Sequence, residues 1–392
     1  MKSLVLLVLF AALPARADLP PGSTPTVASV SATTAAVSES RASEAVAAPS
    51  AQVPAAAAPA QTVSRAPVFG GLIQVWQDVP QARGALSGLR IRRAEFSARS
   101  DIGDGVTAQL VIDPALVLDD GVTTTPFLTS SATGKSATGL TGVKRLSILK
   151  MAFVALDRPF PSVPLVKRVQ AGQFKVPFGM EGLASGGEID TVERAMQTAR
   201  LGWSDLKDLG FMAQLGAGAF DLWAGGFQGE GQDRAEANDY LNTNVRATLR
   251  PARWLALGAA WQEGRAGASK ELLSHAGGEL SCAWTVADRP VRLKGEYAFG
   301  PQGPRGKAAG VRTGYGHAGV ELWPGHLELV ARFDWLDANR LAARDWRTEA
   351  TGGVNLWLAD KHAKLQWNYV RVDEPTPKKR DDLMRINVQA SF

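Results

Sequence analysis

The sequence predicts an all-β fold: a 16-stranded antiparallel transmembrane β-barrel preceded by a disordered Ala/Pro-rich segment. Three observations carry this reading. From Phe69 onward, segments of about 8 to 14 residues alternate apolar and polar side chains with turn residues between them. The connections sort into long and short ones. The chain also ends on an alternating segment, "RINVQASF", with an aromatic as its last residue.

The elements follow in order. Residues 1–17 read as a secretory signal peptide, with a basic start at Lys2, an apolar run from Leu4 to Leu13 and a small-residue site at Ala15-Arg16-Ala17. Nothing downstream has the length of uncharged apolar sequence that a membrane-crossing helix needs. Residues 18–66 are biased to Ala, Pro, Ser, Thr and Val. They bury too little to offset their chain entropy and read as a disordered periplasmic spacer. An Ala-rich helix there is opposed by Pro54 and Pro59.

The barrel is expected over 67–392. Its strands fall near 69–76, 88–100, 104–113, 143–156, 166–174, 207–215, 218–227, 240–250, 253–264, 272–286, 289–299, 311–323, 325–335, 346–358, 362–372 and 382–392. Odd-numbered connections are long, the longest at 175–206. Even-numbered ones are tight, with 157–165 as the longer case. Long loops on one side and short turns on the other mark an outer-membrane barrel rather than a soluble sandwich.

The last strand sets Met384, Ile386, Val388, Ala390 and Phe392 against Arg385, Asn387, Gln389 and Ser391. Val291, Leu293, Tyr297 and Phe299 similarly oppose Arg292, Lys294 and Glu296, and Leu327, Leu329, Ala331, Phe333 and Trp335 oppose Glu328, Arg332 and Asp334. So many charges on one face suit a water-filled lumen, with the apolar face toward lipid. Cys282, the single cysteine, falls on the lipid side with Leu280, Trp284 and Val286. Trp76, Trp254, Trp261, Trp284, Trp323, Trp335, Trp346 and Trp357 lie near strand ends, as interfacial girdles require. The competing view of Phe392 is that it merely ends a core strand. A barrel instead closes its last strand on its first and leaves no edge to guard.

Chemistry is sparse. "TGKS" at Thr133 to Ser136 lacks the earlier glycine of a phosphate-binding loop, where Thr129 stands. His275, His317, His326 and His362 have no metal-ligand spacing and read as surface or interface polar residues, so no metal, cofactor or enzymatic role is expected. A mild excess of Lys and Arg (43) over Asp and Glu (38) gives no argument for nucleic acid.

The connection at 175–206 is long enough to be functional and holds a helix-like stretch around Ile189 to Leu201. Folded inward, it narrows the lumen and brings Lys175, Arg194, Arg200 and Lys207 to the constriction with Glu181, Glu188, Asp190 and Glu193. The alternative is an ordinary surface loop. Position and length favour the inward course.

The stretches "VQAGQFKVPFG" (Val169 to Gly179), "VER" (Val192 to Arg194), "KDLG" (Lys207 to Gly210) and "LRIRRAEFSARSDIGDGVTAQLVID" (Leu89 to Asp113) resemble the phosphate-selective porin O and P family. The resemblance implies a sixteen-stranded Gram-negative outer-membrane channel, the family's usual homotrimer, a constriction loop after strand 5, and a terminal aromatic, Phe392, read by the barrel assembly machinery. It also implies an anion path. The candidates for pore-lining or anion-binding residues are Arg93, Arg168, Lys175, Arg194, Arg200, Lys207, Arg246, Lys294, Arg332, Arg347 and Arg385.

Lys207 stands where the family motif has arginine, and Glu95, Glu279, Glu296, Glu328 and Glu349 interleave with the cations. The expected function is passive diffusion of small hydrophilic solutes, with anion or phosphate preference as the finer expectation. A structural or surface-interaction barrel with a loop-closed pore is the rival, and an exported soluble β-domain is a third reading. The expected partners are small solutes or anions, outer-membrane lipid, the assembly machinery and two further copies of the chain, with no nucleic acid.

Overall fold

The computed structural model describes residues 66–82, 85–118, 148–303, 309–342, 344–375, 378–379 and 381–392. The expected leader, the spacer up to Arg65, Thr133 to Ser136 and the first residues of the expected fourth strand lie outside these segments.

The strands are β1 (Val68–Pro80), β2 (Gly88–Gly103), β3 (Val106–Ile112), β4 (Leu149–Asp157), β5 (Val166–Lys175), β6 (Lys207–Ala217), β7 (Phe220–Phe227) and β8 (Asn242–Ala252). The second half comprises β9 (Leu255–Ala266), β10 (Glu271–Val286), β11 (Arg289–Gly303), β12 (Ala309–Trp323), β13 (Leu327–Asp337), β14 (Trp346–Leu358), β15 (Ala363–Pro375) and β16 (Leu383–Ser391). Each strand pairs antiparallel with its neighbours in the chain, and β16 returns to β1 from Leu72↔Ser391 to Pro80↔Leu383. The sheet is therefore closed. A two-residue ladder, Lys378–Lys379 on Glu374 and Pro375, extends β15.

Closure also seats Phe392. The Gly71 amide donates to the Phe392 carbonyl at 2.9 Å, and the Phe392 amide donates back to the Gly71 carbonyl at 3.2 Å. A Cβ on Gly71 would collide with the Phe392 ring, so the absent side chain is what seats the terminal aromatic on the seam.

Turn chemistry fixes several short connections. Asp104-Gly105 and Ala287-Asp288 each place two consecutive residues at positive φ, as two-residue type I′ hairpins demand. The long-short sorting of connections is not uniform: 267–270 between β9 and β10 is shorter than 158–165 between β4 and β5.

The two faces follow the alternation. Outward, Leu293, Tyr297, Phe299, Leu329, Phe333 and Val388 are exposed, as lipid contact requires. Inward, Gln74, Asn355, Gln366, Asn387 and Gln389 are buried, which is polar burial inside a barrel rather than an apolar core. Cys282 is half-buried on the outward parity, as expected.

Several pairings slip register, two of them at the lumenal charges. Gln74 faces Arg93 while Val75 faces Ile91, so Arg92 is the extra residue of a bulge at the place where the alternation of "LRIRRAEF" breaks. Lys150 is the corresponding extra residue on β4.

Several side chains differ from expectation. Trp76 is not a girdle residue: it is fully buried opposite Asn387 inside the lumen, with the guanidinium groups of Arg90, Arg92 and Arg385 within 5.1–5.8 Å of its ring. Trp357 shares a face with Asn355 and lies 4.6 Å from the Lys364 ammonium, so it too turns inward. Cation–π contact inside the lumen competes with the interfacial belt for these rings.

His275 and His317 are buried in the lumen rather than at a surface. His275 stacks on Trp203, with centroids 4.7 Å apart and planes at 4°.

Candidate functional site

The site is the interior loop, residues 176–206, with the wall it faces. Its only helical elements are single turns, α1 (Met180–Leu183) and α2 (Met196–Ala199), because Ile189 to Ala195 runs through a series of bends instead of forming the longer helix expected there. The loop leaves β5 and returns through Lys207 into β6. At this root Asp205 neutralises three cations: its Oδ1 lies 3.0 Å from both the Lys175 and Lys207 Nζ, and its Oδ2 lies 3.5 Å from the Arg194 Nε. Burial alone would raise the Asp205 carboxyl, but Lys207, Arg194 and Lys175 outweigh it and hold it well below the usual carboxylate range.

From the root the loop crosses the lumen and is tied to the opposite wall through its backbone. The Val192 amide donates to Asn368 Oδ1 at 2.7 Å, the Met196 amide to Asp334 Oδ1 at 3.0 Å, and the Glu181 amide to Glu296 Oε1 at 2.8 Å. In the other direction, Asn355 Nδ2 donates to the Asp190 carbonyl at 2.8 Å, and Lys364 Nζ donates to the Gly187 and Ile189 carbonyls at 2.9 and 3.0 Å. Gln389 Nε2 reaches the Gly187 carbonyl at 2.9 Å and Gln74 Nε2 the Gly186 carbonyl at 3.0 Å. A segment without regular structure must satisfy its backbone at membrane depth, and the lumenal amides and ions do this. Phe178, Met196, Leu201 and Trp203 add an apolar contact with Ala260, Ala298, Val311 and Leu336 of the wall.

All eleven candidate cations sit beside carboxylates. Arg93 pairs with Glu95 at 3.3 Å, Arg168 with Asp157 at 3.2 Å, Arg200 with Glu349 at 2.9 Å, and Lys294 with Asp190 at 2.6 Å. Arg246 pairs with Glu279, Arg332 with Asp334 at 2.7 Å and Glu181 at 3.3 Å, and Arg347 with Glu349 at 2.7 Å. Arg385 pairs with Asp78 at 3.0 Å, and Asp205 holds Lys175, Arg194 and Lys207.

The candidates divide by role. Arg194 and Arg332 are buried and direct their donors to loop carbonyls, Arg194 to Ala184 at 2.8 Å and Arg332 to Glu193 at 2.8 Å. They hold the loop. Lys175 and Lys207 do the same at the root. Arg168 pairs along the wall with Asp157 of β4, and Arg347 shares Glu349 with Arg200 of the loop. Arg246 and Lys294 do reach the open space. Sequence reasoning missed Asp205 as the shared counter-ion and missed the tethering amides. The amides had a signal: Gln366 and Asn368 on β15, and Asn387 and Gln389 on β16, occupy alternate inward positions.

Between the loop and the inner wall of β8–β12 lies a cavity of about 280 Å³. Glu181, Glu188 and Asp190 border it from the loop, and Arg246, Thr248, Arg250, Glu279 and Lys294 from the wall. Asp190 meets Lys294 and also Arg292, at 3.3 Å. Burial opposes its charge, but these cations and His317 keep its carboxyl below the ordinary value. No cluster of three or more His, Cys, Asp and Glu placed to hold a metal occurs among the described residues.

A search of curated proteins finds no match. Among solved structures, the chain is similar to a loop-deletion mutant of OmpT, an outer membrane protein of Vibrio cholerae, with TM-score 0.56, 12% identity, and 83% of this chain and 99% of that chain covered. It is also similar to an anion-selective porin from Comamonas acidovorans, with TM-score 0.55, 12% identity, and the same 83% and 99% coverage. The outer membrane channel DcaP of Acinetobacter baumannii matches with TM-score 0.52, 12% identity, and 85% and 99% coverage. At these identities the likeness speaks for the fold. The family model for phosphate-selective porin O and P matches residues 74–290, which span the loop, its root and the wall up to β11. With a closed sixteen-stranded barrel, an apolar outer face and a charged lumen crossed by the loop at 176–206, the chain belongs to the phosphate-selective porin O and P family, outer-membrane barrels of Gram-negative bacteria that pass solutes by diffusion.

Proposed function

We propose that this porin is a charge-compensated diffusion channel for small hydrophilic solutes, with no more than a modest preference for anions and no strong phosphate site. One observation carries the reading: each of the eleven candidate cations has a carboxylate within ion-pair distance. A phosphate would have to compete with a covalently tethered carboxylate for each of these eleven cations, and the paired field attracts it weakly at range. The anion-selective porin among the structural relatives keeps a residual anion preference in the proposal, supported here by Arg92, which has no ion pair among the described residues. Single-channel current in a planar bilayer tests it. Stable steps, a small reversal potential under a KCl gradient and no block by millimolar phosphate are expected. Strong phosphate block would refute the compensated pore, and absence of current would favour the loop-closed structural barrel.

The proposal extends to assembly. A shallow depression of about 570 Å³ on the outer wall of β2–β5 is bordered by the small side chains of Ala98, Ser100, Ala108, Ala152 and Ala171. Small residues permit close approach of two walls in lipid. This face suits contact between copies in a homotrimer, and Phe392, exposed on the seam, suits recognition by the assembly machinery.

A further inference from the structure

The charges around the cavity between the loop and β8–β12 are segregated by side. The loop contributes only carboxylates, Glu181, Glu188 and Asp190, and the wall contributes Arg246, Arg250 and Lys294, with Glu279 engaged by Arg246. Glu188 is exposed, and its carboxylate accepts from the Ser185 amide at 3.0 Å but has no ion pair among the described residues. On the wall, Arg246 Nε and Thr248 Oγ1 are buried and without a hydrogen-bond partner, although the two residues are 7% and 4% exposed. Buried polar atoms of this kind cost free energy until something meets them. Guanidinium and ammonium groups on one side and the Glu188 carboxylate on the other describe a ligand with both signs.

Deepening the channel reading above, and resting on it, we propose that this cavity is a subsite for small zwitterionic solutes of the amino-acid class. The solute carboxylate lies toward Arg246 and Thr248, and its ammonium toward Glu188. A simple anion or cation meets one attractive and one repulsive wall and gains little, whereas a zwitterion gains from both and crosses aligned. The volume, about 280 Å³, equals that of about nine waters at roughly 30 Å³ each, enough for a small amino acid and a few waters.

Swelling of proteoliposomes containing the full-length protein, measured with alanine and with its uncharged isomer lactamide, tests this directly. The two solutes have the same composition and nearly the same size, so a plain sieve passes them alike. Alanine is expected to enter several-fold faster, and Glu188→Gln is expected to bring the ratio toward one while the protein keeps its heat-modifiable mobility in SDS. Equal rates for the two isomers in wild type, with KCl conductance present, would overturn the zwitterion subsite and leave the channel standing. A wild-type preference unchanged in both Glu188→Gln and Thr248→Val would overturn the assignment to this cavity. Failure of both solutes and of KCl to pass would instead overturn the channel reading.

Discussion

Replacing Asp205 by Asn tests the architecture of the loop root. In the native protein its carboxylate lies 3.0 Å from two lysine ammonium groups and 3.5 Å from the Arg194 guanidinium. With an effective dielectric near 20, each 3.0 Å contact has a gross Coulomb energy of about 5 kcal/mol, and desolvation cancels much of it. Removing one member of a buried ion cluster typically costs about 3–5 kcal/mol, because the remaining charges stay buried and uncompensated. Here three cations are left together, which puts the expected loss at the upper end of that range.

The loss is local, since the tethers to Asn368, Asp334 and Glu296 remain, so the loop root should open before the barrel does. Limited trypsin digestion in detergent is expected to cut the variant between Lys175 and Lys207 while wild type resists, and the reversal potential should move toward anions. A variant with native protease resistance and native selectivity would refute the claim that Asp205 holds the loop. The pH dependence has a fixed sign. A carboxyl held below its unfolded value, about 3.9, stabilises fully above that pH and loses its contribution as pH falls through the lower folded value. The contribution of Asp205 to loop protection should therefore be unchanged from about pH 7 to about pH 5.

The seam, the outer wall and the tethers can each be perturbed in turn. Gly71→Leu should unseat the Phe392 ring, which occupies the space a side chain at residue 71 would need, and lower the folded yield in a heat-modifiability assay; an unchanged yield would remove the seam from the account. Leu293→Arg places a charge on the lipid-facing side and should cost about 2–4 kcal/mol near the midplane in a urea titration of the lipid-embedded barrel, whereas an effect near zero would argue against the face assignment. Ala152→Phe, on the small-residue face of β2–β5, should convert trimers to smaller species in native mass spectrometry, and a persistent trimer would exclude that face. Asn368→Ala leaves the Val192 amide without its acceptor and should cost about 1–3 kcal/mol of loop stability, read by hydrogen exchange of that amide.

The strands, their number and their faces were legible in the amino-acid order for a definite reason: a strand's side chains alternate with period two, and a barrel between lipid and water makes the two sides chemically opposite. The alternation of Met384 to Phe392, the break at Ile91 to Ala94 and the length of the connection after Lys175 all carried that information locally. Which lumenal charges meet became visible only in the folded barrel. Asp205 neutralises Lys175, far earlier in the chain, and Asp190 meets Lys294 across the lumen. No local pattern encodes such pairings, because they depend on barrel curvature and the path of one irregular loop. The same holds for Trp76, whose place near a strand end suggested lipid. It shares the inward face of Gln74 on β1, and only the closed barrel shows the arginines that its ring meets there. A residue's face is a property of its strand, and its partner is a property of the closed barrel.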